Sequence, residues 1–277
     1  MNSLSILTQV WLNLRMLSRR DFLKLGGAAF LATAFHHFSF PYEGAYPAPV
    51  IYHGSRNYHA IGLTFDDCWH PEVLEELMSM VAPYPDFRLT FFAIGDAVVI
   101  DEALSPGIWK RIYGSGHEIG YHTLHHVDPG VAFSKSPVAD FDQWMIVMQD
   151  ALGFRPEVRF ARPPGNNLTP AFQEICTQRG LVVTQYSIGY EGKSVDDGLS
   201  AAAKTQNGDI VQMHTYQDPN QGRLDVAITE KVLPYLSAQG FSLLTMSALY
   251  GLLLQEKNNA LGCETGTGDS LTRTCLD

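Results

Sequence analysis

From about residue 58 onward, short runs rich in β-branched and aromatic residues alternate with longer amphipathic ones. This alternation restricts the architectures open to the chain. The strand-like runs are AIGLTF (60–65), LTFFAI (89–94), EIGYH (118–122), VRFA (158–161), LVVTQYSI (181–188), DIVQMH (209–214) and FSLLTM (241–246). Between the first two, PEVLEELMSMVA spaces Val73, Leu74, Leu77, Met78 and Val81 at helical intervals. Before the last, LDVAITEKVLPYLSAQG carries the same stripe and stops at Gly240. No two neighbouring strand runs are joined by a tight hairpin turn, so the strands are expected to pair in parallel through helical crossovers. An α/β fold with about seven parallel strands follows, either an open doubly wound sheet or a closed or nearly closed barrel.

The reactive side chains fall at one kind of place in this pattern. Asp66 and Asp67 follow the first strand, His122 ends the third, Arg162 follows the fourth and His214 ends the sixth. In a parallel α/β architecture all these strand ends open on the same face, where ligands bind. Residues scattered over some 150 positions are thereby expected to converge on one mouth.

The stretch GHEIGYHTLHH (116–126) holds His117, His122, His125 and His126, four of the chain's 10 histidines. His122 and His126 are four apart, so one helical turn would bring both imidazoles to the same side. Two such nitrogens and a carboxylate from elsewhere make a three-ligand site with an open position. Thr123 stands where a zincin helix would carry its glutamate, so a general base must come from outside this stretch; the Asp66–Asp67 pair is the obvious source. Successive strand residues point to opposite sides, so one aspartate can reach a metal while the other addresses a different atom. His125 is expected to cap, pack or face solvent, and His117 to be a hydrogen-bonded structural residue.

The formal charge of −10 comes without any basic block longer than Arg19–Arg20, which argues against a nucleic-acid surface. That arginine pair precedes LGGAAFLATA, a run too short to span a bilayer. Together with the small-x-small Ala32–Thr33–Ala34 it reads as a twin-arginine export signal over residues 1–34. The expected organisation is then this signal, a linker over 35–57, a catalytic domain over 58–256 and a polar tail over 257–277. The export machinery is an expected partner, the mature chain is expected to lack a stable membrane span, and its location is expected to be periplasmic, cell-wall associated or secreted. An oxidising compartment would permit a disulfide between Cys263 and Cys275 in the tail. Cys68 and Cys176 lack metal-cluster spacing and are expected to be unpaired thiols.

Several stretches resemble the polysaccharide deacetylase family, the NodB-homology domain of carbohydrate esterase family four. IGLTFDDC (61–68) is similar to its first motif and GHEIGYHTLHH to its second, H-[S/T]-x-x-H. FARPPG (160–165) is similar to the third, and DIVQMH (209–214) to the last. TFFAIG (90–95) and the stretch 228–249 also match in type and order, so the resemblance covers about residues 58–250. It implies a distorted or incomplete (β/α) barrel and hydrolysis of acetyl groups on an N- or O-acetylated glycan. It further implies that Asp67, His122 and His126 hold a divalent metal, zinc first and cobalt or a similar ion next. Asp66 would be the general base, Arg162 would keep that carboxylate ionised and oriented, and His214 would be the general acid. The metal would acidify a bound water and polarise the acyl carbonyl, and a backbone N–H would help hold the oxyanion.

This sequence also departs from the family pattern. Cys68 replaces the glycine after the two aspartates, where it would either ligate the metal or pack. The third motif lacks its aromatic residue, and Pro164 has no N–H to donate, so Gly165 or Asn166 is the expected oxyanion donor. Tyr186, Ser187, Ile188 and Gly189 stand where the family carries a tryptophan and the aspartate that orients the acid histidine, leaving Glu191 as the candidate replacement. Trp69, Tyr121, Tyr186, Tyr190 and Tyr216 are candidates to stack on sugar rings. The alternative reading is a carbohydrate-binding protein that keeps the mouth but has little turnover.

Overall fold

The computed structural model describes residues 47–260. The Arg19–Arg20 segment, Cys263 and Cys275 lie outside these described residues. The strands are β1 (Val50–Ile51), β2 (Ala60–Asp67), β3 (Thr90–Ala93), β4 (Glu118–Tyr121), β5 (Phe160–Ala161), β6 (Val182–Thr184), β7 (Ile188–Gly189), β8 (Ile210–His214) and β9 (Ser242–Leu243). They form one sheet in the order β1-β6-β5-β4-β3-β2-β8-β7, with β9 pairing separately against β2. Every pairing between them is parallel, as the absence of hairpin turns predicts. The helices are α1 (Pro71–Val81), α2 (Gly95–Leu104), α3 (Ile108–Gly114), α4 (Pro129–Ala132), α5 (Val138–Leu152), α6 (Pro170–Arg179), α7 (Val195–Ala202), α8 (Pro219–Gln239) and α9 (Met246–Ala260).

The strand expected over 181–188 is in fact two. Its first half, β6, pairs with β5 and β1, and its second half, β7, pairs with β8. The switch is visible in the backbone: Gln185 N–H bonds to Ile51 C=O, and Ser187 N–H bonds to Ile210 C=O. Since three residues span at most about 11 Å, the β5 and β8 sides of the sheet must approach each other. The sheet therefore curls into a distorted barrel, with this one run completing it. β1 adds a ninth strand inside the segment expected to be a linker, and Val183 N–H bonds to Pro49 C=O. Two residues are too few for alternation to register, which is why sequence periodicity passes over this strand. At the other end α9 runs to Ala260, past the expected boundary at 256.

All eight residues of β2 are buried, as befits a central strand flanked by β3 and β8 and reading as a near-continuous apolar run. The barrel interior is filled by Ile51, Ala60, Phe92, Phe160, Val182 and Ile210, joined by Met246 and Leu249 of α9. The N-terminus of α9 is tied to the first residues of β3 and β4, where Thr90 Oγ1 accepts from Met246 N–H and Glu118 Oε2 accepts from Ser247 N–H. The helix thus plugs the mouth at the strands' N-terminal ends, and the opposite mouth is left for ligands. Gly120 shows how tightly the interior is packed: a Cβ there would lie 2.4 Å from Phe92 Cδ1. A second, larger apolar layer, including Leu77, Trp109, Trp144, Phe172 and Leu236, lies between the sheet and its helices.

His117 proves structural. Its ring is buried, meets Phe91 edge-on and accepts the Leu89 N–H at Nδ1, joining the approaches to β3 and β4. Burial first, and then the Arg88 charge, pull its pKa down to about 4. The folded protein therefore holds the ring neutral while the unfolded chain protonates near 6.5, so its contribution is complete above pH 6.5 and is lost as pH falls through 4. Denaturant unfolding at stepped pH should show up to about 3 kcal/mol lost across this window, and His117→Asn should flatten that part of the curve.

Candidate active site

β2 ends in Asp66 and Asp67, and the alternation of a strand sends their carboxyl groups to different surroundings. Asp66 is fully buried. Its Oδ1 accepts from Arg162 Nη1 at 2.6 Å and its Oδ2 from Gln212 Nε2 at 2.7 Å. Arg162, just beyond β5, is also fully buried. It donates in addition to Thr64 Oγ1, Thr184 C=O and Gln185 C=O, and its guanidinium carbon lies 4.3 Å from the Phe92 ring centroid. Burial alone would raise the Asp66 pKa. The Arg162 charge, followed by His122, His214 and the Gln212 hydrogen bond, overcomes that and holds it below the ordinary carboxylate value. Asp66 is accordingly ionised at neutral pH.

Asp67 addresses the two histidines. His122 Nε2 and His126 Nε2 each lie 3.4 Å from Asp67 Oδ1, and the three ligand atoms are mutually within 4.8 Å. Three observations fit a cation at this point. Asp67 Oδ1 is buried and has no hydrogen-bond partner. His122 Nδ1 donates to Arg162 C=O at 2.7 Å, a tautomer that turns the Nε2 lone pair toward Asp67. Finally, donors bound about 2.1 Å from a tetrahedral ion stand about 3.4 Å apart, the separation found here.

The helical turn expected between His122 and His126 does not form; residues 122–128 are an irregular loop. Thr123 and His126 take left-handed backbone conformations, with φ of 69° and 55°, and these bends do what a helical turn would have done. Among the described residues, every non-glycine residue with positive φ sits on this mouth: Asp67, Cys68, His70, Thr123, His126 and Asn166. Such conformations cost on the order of 1 kcal/mol or more each and persist only where the surroundings impose them.

On the far side of Asp66 stands His214, the last residue of β8, with Nε2 3.8 Å from Asp66 Oδ2. Its Nδ1 hydrogen-bonds Glu191 Oε1, while the other Glu191 oxygen accepts from Tyr216 Oη at 2.9 Å. The Tyr216 ring stacks on the imidazole at 4.5 Å. Burial would lower the His214 pKa, but the Glu191 bond and the Asp66, Glu191 and Asp67 charges outweigh it and raise it to about 9. The imidazole is therefore held protonated, with Nε2–H turned to the site. A 610 Å³ cleft opens beside the Asp67–His126 side, walled by Trp69, Ile94, Asp96, His125, Tyr216, Gln217, Asp218 and Gln221.

A polysaccharide deacetylase family model matches residues 53–184. Over these residues the chain is similar to the polysaccharide deacetylase family. A peptidoglycan-N-acetylglucosamine deacetylase of Bacillus cereus is 26% identical over 213 residues, which are 72% of this chain and 92% of that protein. Among solved structures, a peptidoglycan N-acetylglucosamine deacetylase superposes with a TM-score of 0.63 at 22% identity, covering 74% of this chain and 94% of the other. A CE4 family pseudoenzyme from Bacillus anthracis superposes with a TM-score of 0.62 at 20% identity, covering 73% and 69%. These two structural likenesses bear on the fold, a (β/α) barrel.

The other site expectations fare unevenly. Asn166 cannot offer its backbone N–H, which bonds to Pro163 C=O, whereas the Gly165 N–H has no partner among the described residues. The Asn166 side chain instead forms a reciprocal amide pair with Gln212. Cys68 packs rather than ligates: its thiol lies against the carbonyls of Phe65 and Phe92, and burial first of all pushes its pKa well up, away from the thiolate a metal needs. Cys176 is likewise free and buried. Of the five aromatic candidates, Trp69 and Tyr216 line the cleft. Tyr121 and Tyr190 are core residues, and Tyr186 is 40% exposed on the loop between β6 and β7, outside the cleft wall. His125 pairs with Asp96 at the cleft edge.

The sequence reading missed Gln212. Its signal was present: it lies two residues before His214 on an otherwise apolar strand, and so on the same face. Removing one member of the buried Asp66–Arg162 pair leaves the other uncompensated, so Arg162→Ala should cost about 3–5 kcal/mol of stability. Equilibrium denaturant unfolding measures this, and a loss below about 1 kcal/mol would refute the assigned role.

Proposed function

We propose that this protein is a member of the polysaccharide deacetylase family that hydrolyses acetyl groups from an N-acetylated glycan outside the cytoplasm, with Asp66 as general base and His214 as general acid. The observation that carries the proposal is the three-part alignment around Asp66: the Asp67–His122–His126 cluster on one side, the buried Arg162 behind, and the Glu191-bound His214 on the other. Asp67, His122 and His126 would hold a divalent cation, zinc being the ion best suited to one carboxylate and two imidazoles. When bound, such a cation supplies Lewis-acid chemistry, polarising the acyl carbonyl and acidifying water. Asp66, ionised by Arg162, takes the proton of the attacking water. The Gly165 N–H is the donor free to meet the developing oxyanion. His214 then protonates the departing nitrogen from Nε2, and Glu191 holds the imidazolium at Nδ1 throughout.

Glu191 is what favours turnover over simple carbohydrate binding, and amide over ester substrates. An amine leaves poorly without a proton donor, and this donor is fully supported. The matched relatives that act on peptidoglycan make N-acetylglucosamine units of a cell-wall glycan the first substrate to try. The Arg19–Arg20 segment supports export by the twin-arginine machinery, and among the described residues no helix is long and apolar enough to cross a membrane.

Acetate release from chitin oligomers, peptidoglycan and acetylated xylan, with and without chelator, tests the whole reading. Release should be strongest on an N-acetylated glycan and abolished by chelator; no release from any of the three would sink it. Asp66→Asn should retain zinc yet lose about 10²–10⁴ in rate, and a near-normal rate would remove Asp66 from its role. His214→Ala should slow N-deacetylation more than O-deacetylation, whereas equal losses would count against the acid assignment.

A further inference from the structure

The loop that presents His122 and His126 is irregular and carries two left-handed non-glycine residues, so something outside it must impose its shape. Its centre is Leu124, which is held on three sides. The Leu124 side chain is buried against Gly95, where a Cβ would come within 2.6 Å of Leu124 Cδ1. Its C=O accepts the Asp96 N–H at 2.9 Å, and the neighbouring Thr123 C=O accepts the Gly95 N–H at 3.1 Å, both from the first turn of α2. Its N–H is held by a carboxylate from a different element, Asp140 near the start of α5.

Asp140 is fully buried. A single oxygen, Oδ1, accepts both the Leu124 N–H at 2.9 Å and the hydroxyl of Tyr121, the residue immediately before His122. One atom therefore holds the side chain of the residue before the first histidine and the backbone of Leu124, two residues after the first and two short of the second. The Tyr121 ring is itself immobilised, stacked on Phe172 and set edge-on against Phe141 and Trp144. Oδ2 of Asp140 is buried without a partner, a state that costs about 1–3 kcal/mol. Thr123, which sits between the pinned residues, leaves its own hydroxyl buried and unbonded, so its side chain does not hold the loop. The α2 first turn supplies donors to the loop's carbonyls and Asp140 the acceptor for its amide.

We propose that Asp140 is a positioning residue for the metal site, acting through Oδ1 on the Tyr121 hydroxyl and the Leu124 amide to hold His122 and His126 at ligating distance from Asp67. The proposal rests on the reading of Asp67, His122 and His126 as ligands. Its mode of action is geometric: what matters is an acceptor at the Oδ1 position, and an amide oxygen serves there as well as a carboxylate.

The test is calorimetric titration of zinc into chelator-treated full-length protein. Asp140→Leu, nearly isosteric but without the acceptor, should weaken zinc binding about 10–100-fold, while Asp140→Asn should stay within about threefold of the parent. Parent-like affinity in a folded Asp140→Leu overturns the proposal. So does an equal loss in Asp140→Asn, which would assign the effect to charge. Hydrogen exchange in the unsubstituted, metal-free protein gives a readout that no folding defect can confuse. The Leu124 amide should exchange at least about 100-fold more slowly than an unstructured one, and unprotected exchange overturns the clamp. Should Asp140→Leu fail to fold, this measurement decides. Failure of the unsubstituted protein to take up zinc would instead condemn the ligand assignment, and the exchange result would still judge the clamp.

Discussion

The buried ion pair between Arg162 and Asp66 organises this barrel. A guanidinium and a carboxylate removed from water carry a desolvation cost of several kcal/mol each, recovered only when the geometry is close and the remaining donors and acceptors are satisfied. Here the satisfying groups come from strands all around the barrel. Thr64 belongs to β2 and Thr184 to β6, Gln185 lies just past β6, Gln212 belongs to β8, and the Phe92 ring of β3 covers the guanidinium face. A displacement of any of these strands would cost the buried pair one of the contacts that replace water around it. The requirement that shapes the reaction site thus also locks the strands at their C-terminal ends, while α9 closes the opposite end with apolar side chains.

Two functional halves are hung on this pair without sharing ligands. Arg162 reaches the Asp67–His122–His126 cluster through its backbone, since its carbonyl fixes the tautomer of His122, and Asp66 through its side chain. The His214 side is separate, built from β8 and the loop after β7, with Glu191 bridging His214 and Tyr216. His214 thereby has a carboxylate partner that is independent of the Asp67–His122–His126 cluster.

How much was legible from the chain alone follows from the range of the forces involved. The parallel sheet, α1 and the strand-end placement of Asp66, Asp67, Arg162 and His214 came from periodicity, which reports burial and needs no knowledge of neighbours. The pairing of β6 with one side of the barrel and β7 with the other was invisible, because a kinked run and a straight one have the same alternation. β1 was too short to register. The helical turn assumed between His122 and His126 was wrong because spacing alone does not distinguish a turn of helix from a loop bent by residues with positive φ.

The sequence by itself determined which chemical groups exist and at which strand ends they emerge, because strand chemistry and residue spacing are local properties. Only the tertiary structure decided which of them meet. It brought Glu191 to His214, tied the Asn166 side chain to Gln212, buried Tyr121 and Tyr190, and set Asp140 behind the histidine loop. The physical reason is that a hydrogen bond or an ion pair acts over about 3 Å. Contacts between residues tens of positions apart exist only once barrel closure has fixed their separation.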